Sequence, residues 1–109
     1  MRWLTIGTLL VLGCGTARRS EPLVGPPQLA SAEERHGQRV FMQLCNQCHP
    51  GGDAGLAPPL NNKPAPAGVI KLQVRKGLGR MPAFPESQLD GRSLDDLVSY
   101  VLRLRHTGR

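Results

Sequence analysis

The pattern of apolar and capping residues predicts a small all-α domain. Ser31 is followed three residues later by Glu34, the arrangement of a capping box at the start of a helix. The chain shows neither an internal repeat nor the alternation of strands and helices typical of a parallel sheet. With 109 residues, a single domain is expected. Near the C-terminus, apolar residues recur at the spacing of a buried helix face: Leu94, Leu97, Val98, Val101 and Leu102.

Residues 1–13 resemble a secretory signal peptide. Arg2 precedes an apolar run from Trp3 to Leu12, which is shorter than the roughly 20 residues that span a bilayer. The sequence Val11-Leu12-Gly13-Cys14 resembles a bacterial lipobox, in which the cysteine becomes the lipidated N-terminus. We therefore expect a protein on the periplasmic side of a bacterial membrane, anchored to it through Cys14. Cleavage after Ala17, which would remove Cys14, is the alternative.

Residues 14–30 are rich in proline and arginine and have little periodicity, so they are expected to form a flexible or lipid-anchored tether. The tether would give reach towards a partner, or would be plain terminal disorder. Residues 31–109 form the predicted domain. Its first helix should run from the N-cap Ser31 to about Cys45, with Gly37 marking either a close helix–helix approach or a surface position.

Two further helices are expected after a loop rich in glycine and proline. The first is short and spans residues 68–76. The last covers residues 89–104, with Ser93 as a second N-cap and Asp96 as the acidic partner of a capping box. Its apolar stripe is expected to pack on the first helix.

The strongest functional signal is Cys45-Asn46-Gln47-Cys48-His49. Two cysteines three positions apart, followed at once by histidine, form the motif that attaches c-type haem. One helical turn brings Cys45 and Cys48 to one face, where their sulfurs can form thioethers with the two haem vinyl groups. The imidazole of His49 can then ligate the iron from below the ring. The motif predicts one covalent haem c with its iron.

Other readings of these cysteines fit the sequence less well. A zinc site commonly needs a second pair of cysteine or histidine ligands, and the chain has no such pair. A thioredoxin-type dithiol requires a strand–helix–strand context, whereas the flanking pattern is helical. Chance occurrence of the motif is the remaining alternative.

Residues 31–104 resemble the small class I c-type cytochromes of bacteria. In that family a first helix with a Gly-x-x-x-aromatic pair leads into the haem motif, and Gly37 and Phe41 hold those places. A closing helix carries an aromatic residue where this chain has Tyr100. The resemblance implies N- and C-terminal helices that cross over a covalently bound haem, with a short helix and a methionine loop between them.

Two further family segments imply roles for single residues. Residues 55–60 resemble Gly-x-x-Pro-x-Leu, whose proline carbonyl accepts a hydrogen bond from the ligand histidine; this implies Pro58, with Pro59 as the alternative. Residues 77–84 resemble Gly-x-Gly-x-Met-Pro-x-Phe, which implies that Met81 is the second iron ligand. The alternatives for that place are Met42 on the first helix and the histidines at positions 36 and 106, which are expected to lie at the surface.

Charge indicates the kind of partner. From Ala32 onward the chain has 11 Lys/Arg and 7 Asp/Glu, and part of the excess clusters before Met81. Such a cluster would steer an acidic redox protein, unless it is a solvated helix face or Arg80 pairs with a haem propionate. Nucleic acid is not expected, because no aromatic residues alternate with the basic ones. The cluster comprises Lys71, Arg75, Lys76 and Arg80.

The sequence therefore predicts a monomeric electron carrier, not an enzyme. It would transfer single electrons between redox partners outside the cytoplasm. Two alternatives remain: a peroxidase or gas-binding protein from which Met81 detaches, and an accessory haem subunit of a larger oxidase or dehydrogenase.

Overall fold

The computed structural model describes residues 25–53 and 55–107, so the predicted signal peptide, Cys14 and the first part of the tether lie outside the described residues. In these two ranges the chain forms three α-helices and a short 3₁₀ turn, Pro50–Gly52. No strand occurs in them, although an isolated bridge joins Leu78 and Met81. The all-α prediction is confirmed. None of the helices in these ranges is long and apolar enough to cross a membrane. The helices are α1 (Ala32–Leu44), α2 (Ala67–Lys76) and α3 (Gly91–Leu104).

The start of α1 matches the predicted capping box, with one difference. The Ser31 hydroxyl accepts a hydrogen bond from the Glu34 amide at 3.0 Å. The Glu34 carboxylate accepts one from the Ala30 amide at 2.6 Å, and so reaches one residue further back than the motif requires. Leu29 packs against the hydrophobic core. The packed domain therefore begins inside the segment that the sequence assigned to the tether.

The start of α3 differs from the prediction. The helix begins at Gly91, and its N-cap is Asp90, whose carboxylate accepts a hydrogen bond from the Ser93 amide at 2.8 Å. The predicted capping box fails because Asp96 has another partner. Its buried carboxylate lies 2.7 Å from Nδ1 of His36 on α1. A buried carboxylate needs a hydrogen-bond donor, and His36 provides it from a side chain that is still 37% exposed. His106 is exposed as expected.

The crossing of α1 and α3 depends on Gly37. A Cβ atom at this position would collide with the carbonyl oxygen of Asp96 and would lie 2.9 Å from Cβ of Tyr100. One turn later the rings of Phe41 and Tyr100 pack with centroids 5.2 Å apart and planes at 57°. The close approach that the sequence suggested at Gly37 is confirmed. The Arg103 guanidinium also connects the two helices, because its Nε and Nη2 both donate to one carboxylate oxygen of Glu34, at 3.0 and 2.8 Å.

The core lies between these two helices and the inner face of α2. Most of the predicted stripe on α3 is buried, whereas Leu102 is only partly covered. On α2 only Val74 is buried, and Val69 and Leu72 are exposed. The buried apolar side chains are Val40, Phe41, Val74, Phe84, Leu89, Leu94, Leu97, Val98, Tyr100, Val101 and Leu104.

Candidate haem-binding site

The motif residues lie on a tight turn that directly continues α1. The amide of Cys45 donates to the Phe41 carbonyl at 2.8 Å and so caps the helix. The amides of Cys48 and His49 then both donate to the Cys45 carbonyl, at 3.2 and 2.9 Å. These two bonds form one further helical turn, which places the cysteines three positions apart on one side and leads directly into His49.

The imidazole of His49 is buried, with only 8% of the residue exposed. Its Nδ1 lies 3.0 Å from the carbonyl oxygen of Pro58. Because a carbonyl oxygen can only accept a hydrogen bond, Nδ1 carries the proton and Nε2 presents its lone pair. Burial lowers the pKa of His49, although the Pro58 carbonyl opposes this effect. The ring is therefore held neutral, in the tautomer that a metal ligand requires.

The loop after the motif holds the Pro58 carbonyl in place. On one side the Ala57 amide donates to the Cys48 carbonyl at 3.1 Å. On the other side the Leu60 amide donates to the Gly52 carbonyl at 2.7 Å. Pro58 is thus held between two backbone bonds to the segment that carries His49. Of the two adjacent prolines, Pro58 makes the hydrogen bond, while Pro59 is buried.

Neither motif cysteine is paired in a disulfide. Cys48 is exposed and Cys45 is partly buried. Burial, and then the neighbouring Cys48, raise the pKa of Cys45 to about 11. Sequence reasoning gave no role to Asn46 between them, yet its side-chain oxygen accepts from the Gly51 amide at 3.0 Å and braces the turn that follows His49.

Met81 lies on the loop that joins α2 to α3. Its amide donates to the Leu78 carbonyl at 2.9 Å, and its carbonyl accepts from the Leu78 amide at 3.1 Å. This pair closes a tight two-residue turn in which Gly79 has φ +57°. Met81 is partly buried and packs against the hydrophobic core. Its thioether belongs to a segment that lies 32 residues after His49 in the sequence.

This set of groups fits a covalently held haem. Two free thiols one helical turn apart suit thioether formation, and the neutral imidazole and the thioether are common axial ligands of haem iron. In residues 25–53 and 55–107 no cluster of three or more His, Cys, Asp or Glu side chains is arranged to hold a metal ion.

The basic cluster before Met81 is smaller than the sequence suggested. Lys71 pairs with Asp95 on α3, with Nζ 2.6 Å from the carboxylate. Arg75 turns inward, and its Nη1 donates to the backbone carbonyls of Phe84 at 3.1 Å and Leu89 at 2.5 Å. Neither pairing could be read from the sequence, because both depend on how α2 packs against α3 and against the segment between them. Lys76 and Arg80 remain exposed.

Comparison with known proteins gives concordant results. Residues 32–101 match the family model described as cytochrome C oxidase, cbb3-type, subunit III. The chain is 32% identical over 103 residues to the 4-cresol dehydrogenase [hydroxylating] cytochrome c subunit of Pseudomonas putida, covering 94% of this chain and 84% of that protein. It is 31% identical to cytochrome c6 of Cyanidioschyzon merolae, over 69% of this chain and 78% of the relative. Cytochrome c6 of Gloeothece citriformis is 35% identical, with coverage of 67% and 73%.

The family match covers α1, the cysteine–histidine turn, α2, the methionine loop and α3 as far as Val101. It agrees with the all-helical fold and with a site suited to covalent haem. The chain therefore belongs to the cytochrome c family, as a small class I c-type cytochrome whose covalently bound haem c transfers electrons.

Proposed function

We propose that this cytochrome is a single-electron carrier with a closed site, in which Cys45 and Cys48 hold the haem and His49 and Met81 ligate its iron. When bound, the haem iron supplies the chemistry by accepting and releasing one electron. The chain's own groups keep both ligands in place. Its role is carriage between redox partners and not catalysis on a substrate.

The hydrogen bond from His49 to Pro58 is the observation on which this proposal rests. It orients a buried imidazole through one nitrogen and leaves the other free to ligate. Because the bond also makes the ring a stronger electron donor, it favours a histidine that stays bound in both oxidation states. Pro58 is proposed to act only in this supporting way, through His49.

Met81 is proposed as the second ligand because its loop is closed and packed. The paired bonds to Leu78 fix the backbone at Met81, and its contact with the core restricts the side chain. A thioether is a soft ligand that favours ferrous iron, so histidine–methionine ligation raises the reduction potential. A ligand fixed in this way leaves no open position for peroxide or a diatomic gas.

Mixing the reduced holoprotein with carbon monoxide tests the closed site. We expect slow binding, limited by release of Met81, whereas a haem with an open position binds within the mixing time. His49 should remain bound to the iron in both oxidation states. The absorption spectrum of the oxidised protein should therefore show no change from loss of this ligand at neutral pH. Rapid binding to the wild-type protein would instead favour the peroxidase or gas-binding alternative.

The proposed location is outside the cytoplasm, on the periplasmic side of a bacterial membrane. Haem attachment to a cysteine–histidine motif belongs in that compartment, and residues 1–13 have the pattern of an export signal. Lipidation of Cys14 would tether a monomeric domain through the proline-rich residues before Leu29. Mass spectrometry of the mature N-terminus distinguishes a lipidated Cys14 from cleavage after Ala17.

The proposed docking surface for an acidic redox protein is formed by Lys76 and Arg80, the two residues of the basic cluster that are exposed. Exposed positive charge suits a transient redox partner with an acidic docking surface. The surface replaces the larger basic cluster that the sequence suggested.

Oxidation of the reduced protein by ferricyanide, a small anionic oxidant, tests the charge of this surface. The double variant Lys76→Gln/Arg80→Gln should react about two- to fivefold more slowly at low ionic strength, because steering by positive charge is lost. The difference should fade near 1 M salt, where the screening length falls to about 3 Å. Lys71→Gln is the control, since Asp95 already offsets that charge; an equal loss in the control would count against the proposed surface.

A second candidate role is that of a permanent haem subunit. The relative from Pseudomonas putida is the cytochrome c subunit of a dehydrogenase, and the match covers 84% of its length. Purification from native membranes at low and high salt separates the two roles. A carrier should elute alone, whereas a subunit should remain with a larger redox enzyme.

A further inference from the structure

We propose that Arg75 is a positioning residue for Met81, holding the base of the methionine loop so that the thioether stays on the iron. This inference rests on the proposed ligand role of Met81. It assigns to Arg75 a purpose other than the partner steering that its place among basic residues suggests.

The first step concerns the two ends of the loop. Residues 77–83 leave α2 and return to it, because the Gly77 amide donates to the Gln73 carbonyl at 2.8 Å and the Phe84 amide donates to the Val74 carbonyl at 2.9 Å. Both ends of the loop are therefore attached to the last turn of α2. Met81 lies within this closed loop, and its position depends on that base.

The second step concerns the guanidinium. Nη1 of Arg75 donates to the Phe84 carbonyl at 3.1 Å, so the backbone of Phe84 is bound to α2 through both its amide and its carbonyl. The same nitrogen donates to the Leu89 carbonyl at 2.5 Å. An Nη1 group has two hydrogens and can serve both carbonyls at once.

The third step concerns the segment between the Phe84 and Leu89 carbonyls. Between them the chain makes a compact turn, closed by the Leu89 amide donating to the Pro85 carbonyl at 2.9 Å. The side chains at both ends, Phe84 and Leu89, are buried in the core. Arg75 therefore connects α2 to a rigid turn that begins three residues after Met81, and these are charge-assisted hydrogen bonds, which are stronger than neutral ones.

This arrangement separates two consequences of removing Arg75. Loss of a tie between α2 and the rest of the domain lowers global stability. Loss of the hold on Phe84 loosens the loop itself and lets Met81 leave the iron more often while the protein stays folded. The second consequence is specific to Arg75 among the cations of α2, because Lys71 is tied to the side chain of Asp95 on α3 and not to the loop.

The test compares Arg75→Gln with Lys71→Gln in the holoprotein. Each variant loses one positive charge, together with two hydrogen bonds in Arg75→Gln and one exposed ion pair in Lys71→Gln. Both should unfold at lower denaturant concentration, with the smaller shift in Lys71→Gln. Only Arg75→Gln should bind carbon monoxide faster in the ferrous state, by about tenfold, the factor expected when one charge-assisted hydrogen bond no longer opposes local opening. In the ferric state it should also lose the far-red sulfur-to-iron band at lower denaturant than its helical signal.

Arg75→Lys is the second variant, and it keeps the charge on a side chain one bond shorter. Its rate of carbon monoxide binding should lie between those of the wild type and Arg75→Gln. If Arg75→Gln does not fold, faster binding by Arg75→Lys than by the wild type tests the inference in its place. Equal rates for Arg75→Gln and Lys71→Gln, or for Arg75→Lys and the wild type, would overturn the inference. Absence of the far-red band in the wild type would instead overturn the ligand role of Met81, and the role of Arg75 with it.

Discussion

Replacement of Gly37 by alanine is expected to lower the free energy of unfolding by about 3 kcal/mol or more, the upper range for overpacking a tight contact. The added methyl group would collide with the carbonyl oxygen of Asp96, which is backbone and cannot move independently of α3. It would also lie 2.9 Å from Cβ of Tyr100. The two helices would have to separate, and the packing of Phe41 on Tyr100 would be lost with them.

Gly68→Ala is the matched control for this substitution. Gly68 is also helical, but nothing lies within 4 Å of a Cβ placed there. Alanine favours a helix over glycine by up to about 1 kcal/mol, so Gly68→Ala should be neutral or slightly stabilising. Denaturant unfolding followed by circular dichroism gives both values. Equal stability of Gly37→Ala and the wild type would show that α1 and α3 do not cross as closely as described.

Replacement of Gly77 by alanine is expected to release Met81. Gly77 has φ +70° and ψ 173°, a conformation that is almost restricted to glycine and costs other residues about 1–3 kcal/mol. A Cβ there would also lie 2.6 Å from the carbonyl oxygen of Met81 and 2.9 Å from the Ala83 amide nitrogen. Because both atoms belong to the loop backbone, the loop must shift. We expect a ferric holoprotein that keeps its covalent haem but lacks the sulfur-to-iron band.

Gly79→Ala tests whether this effect comes from the collision or merely from a left-handed glycine in the loop. Gly79 has φ +57°, and nothing lies within 4 Å of its hypothetical Cβ. Alanine in this conformation costs roughly 1–2 kcal/mol, so Gly79→Ala should be less stable than the wild type but should retain the band. Retention of the band by Gly77→Ala would contradict the proposed dependence of Met81 on the loop backbone.

Features encoded by neighbouring residues were predicted well from the sequence. The N-cap at Ser31 follows from a short capping motif, and the close approach at Gly37 was one of two interpretations of a glycine inside a helix; both occur in the structure. The hydrogen bond between His49 and Pro58 spans nine residues and was implied by a family segment. The ligand role that it supports is still a proposal.

Features that depend on tertiary packing and have no motif of their own were not predicted. Asp96 could not be excluded as a capping residue until α1 placed His36 beside it, 60 positions earlier in the chain. Likewise, the four basic residues of the cluster before Met81 suggest an exposed basic patch. However, Lys71 forms an ion pair with Asp95, and Arg75 donates hydrogen bonds to two backbone carbonyls. Composition gives the charge of a segment, but tertiary packing decides which charged side chains find a partner.

The absorption spectrum of the holoprotein, recorded oxidised and reduced, tests the central claim most directly. It should be compared among the wild type, Met81→Ala and Met42→Ala, since Met42 is a methionine 54% exposed on α1 and serves as the control. We expect a low-spin c-type spectrum with a weak far-red band in the ferric protein, lost in Met81→Ala and retained in Met42→Ala. A high-spin wild-type spectrum, or a band that survives in Met81→Ala, would contradict His49/Met81 ligation and the closed electron carrier built on it.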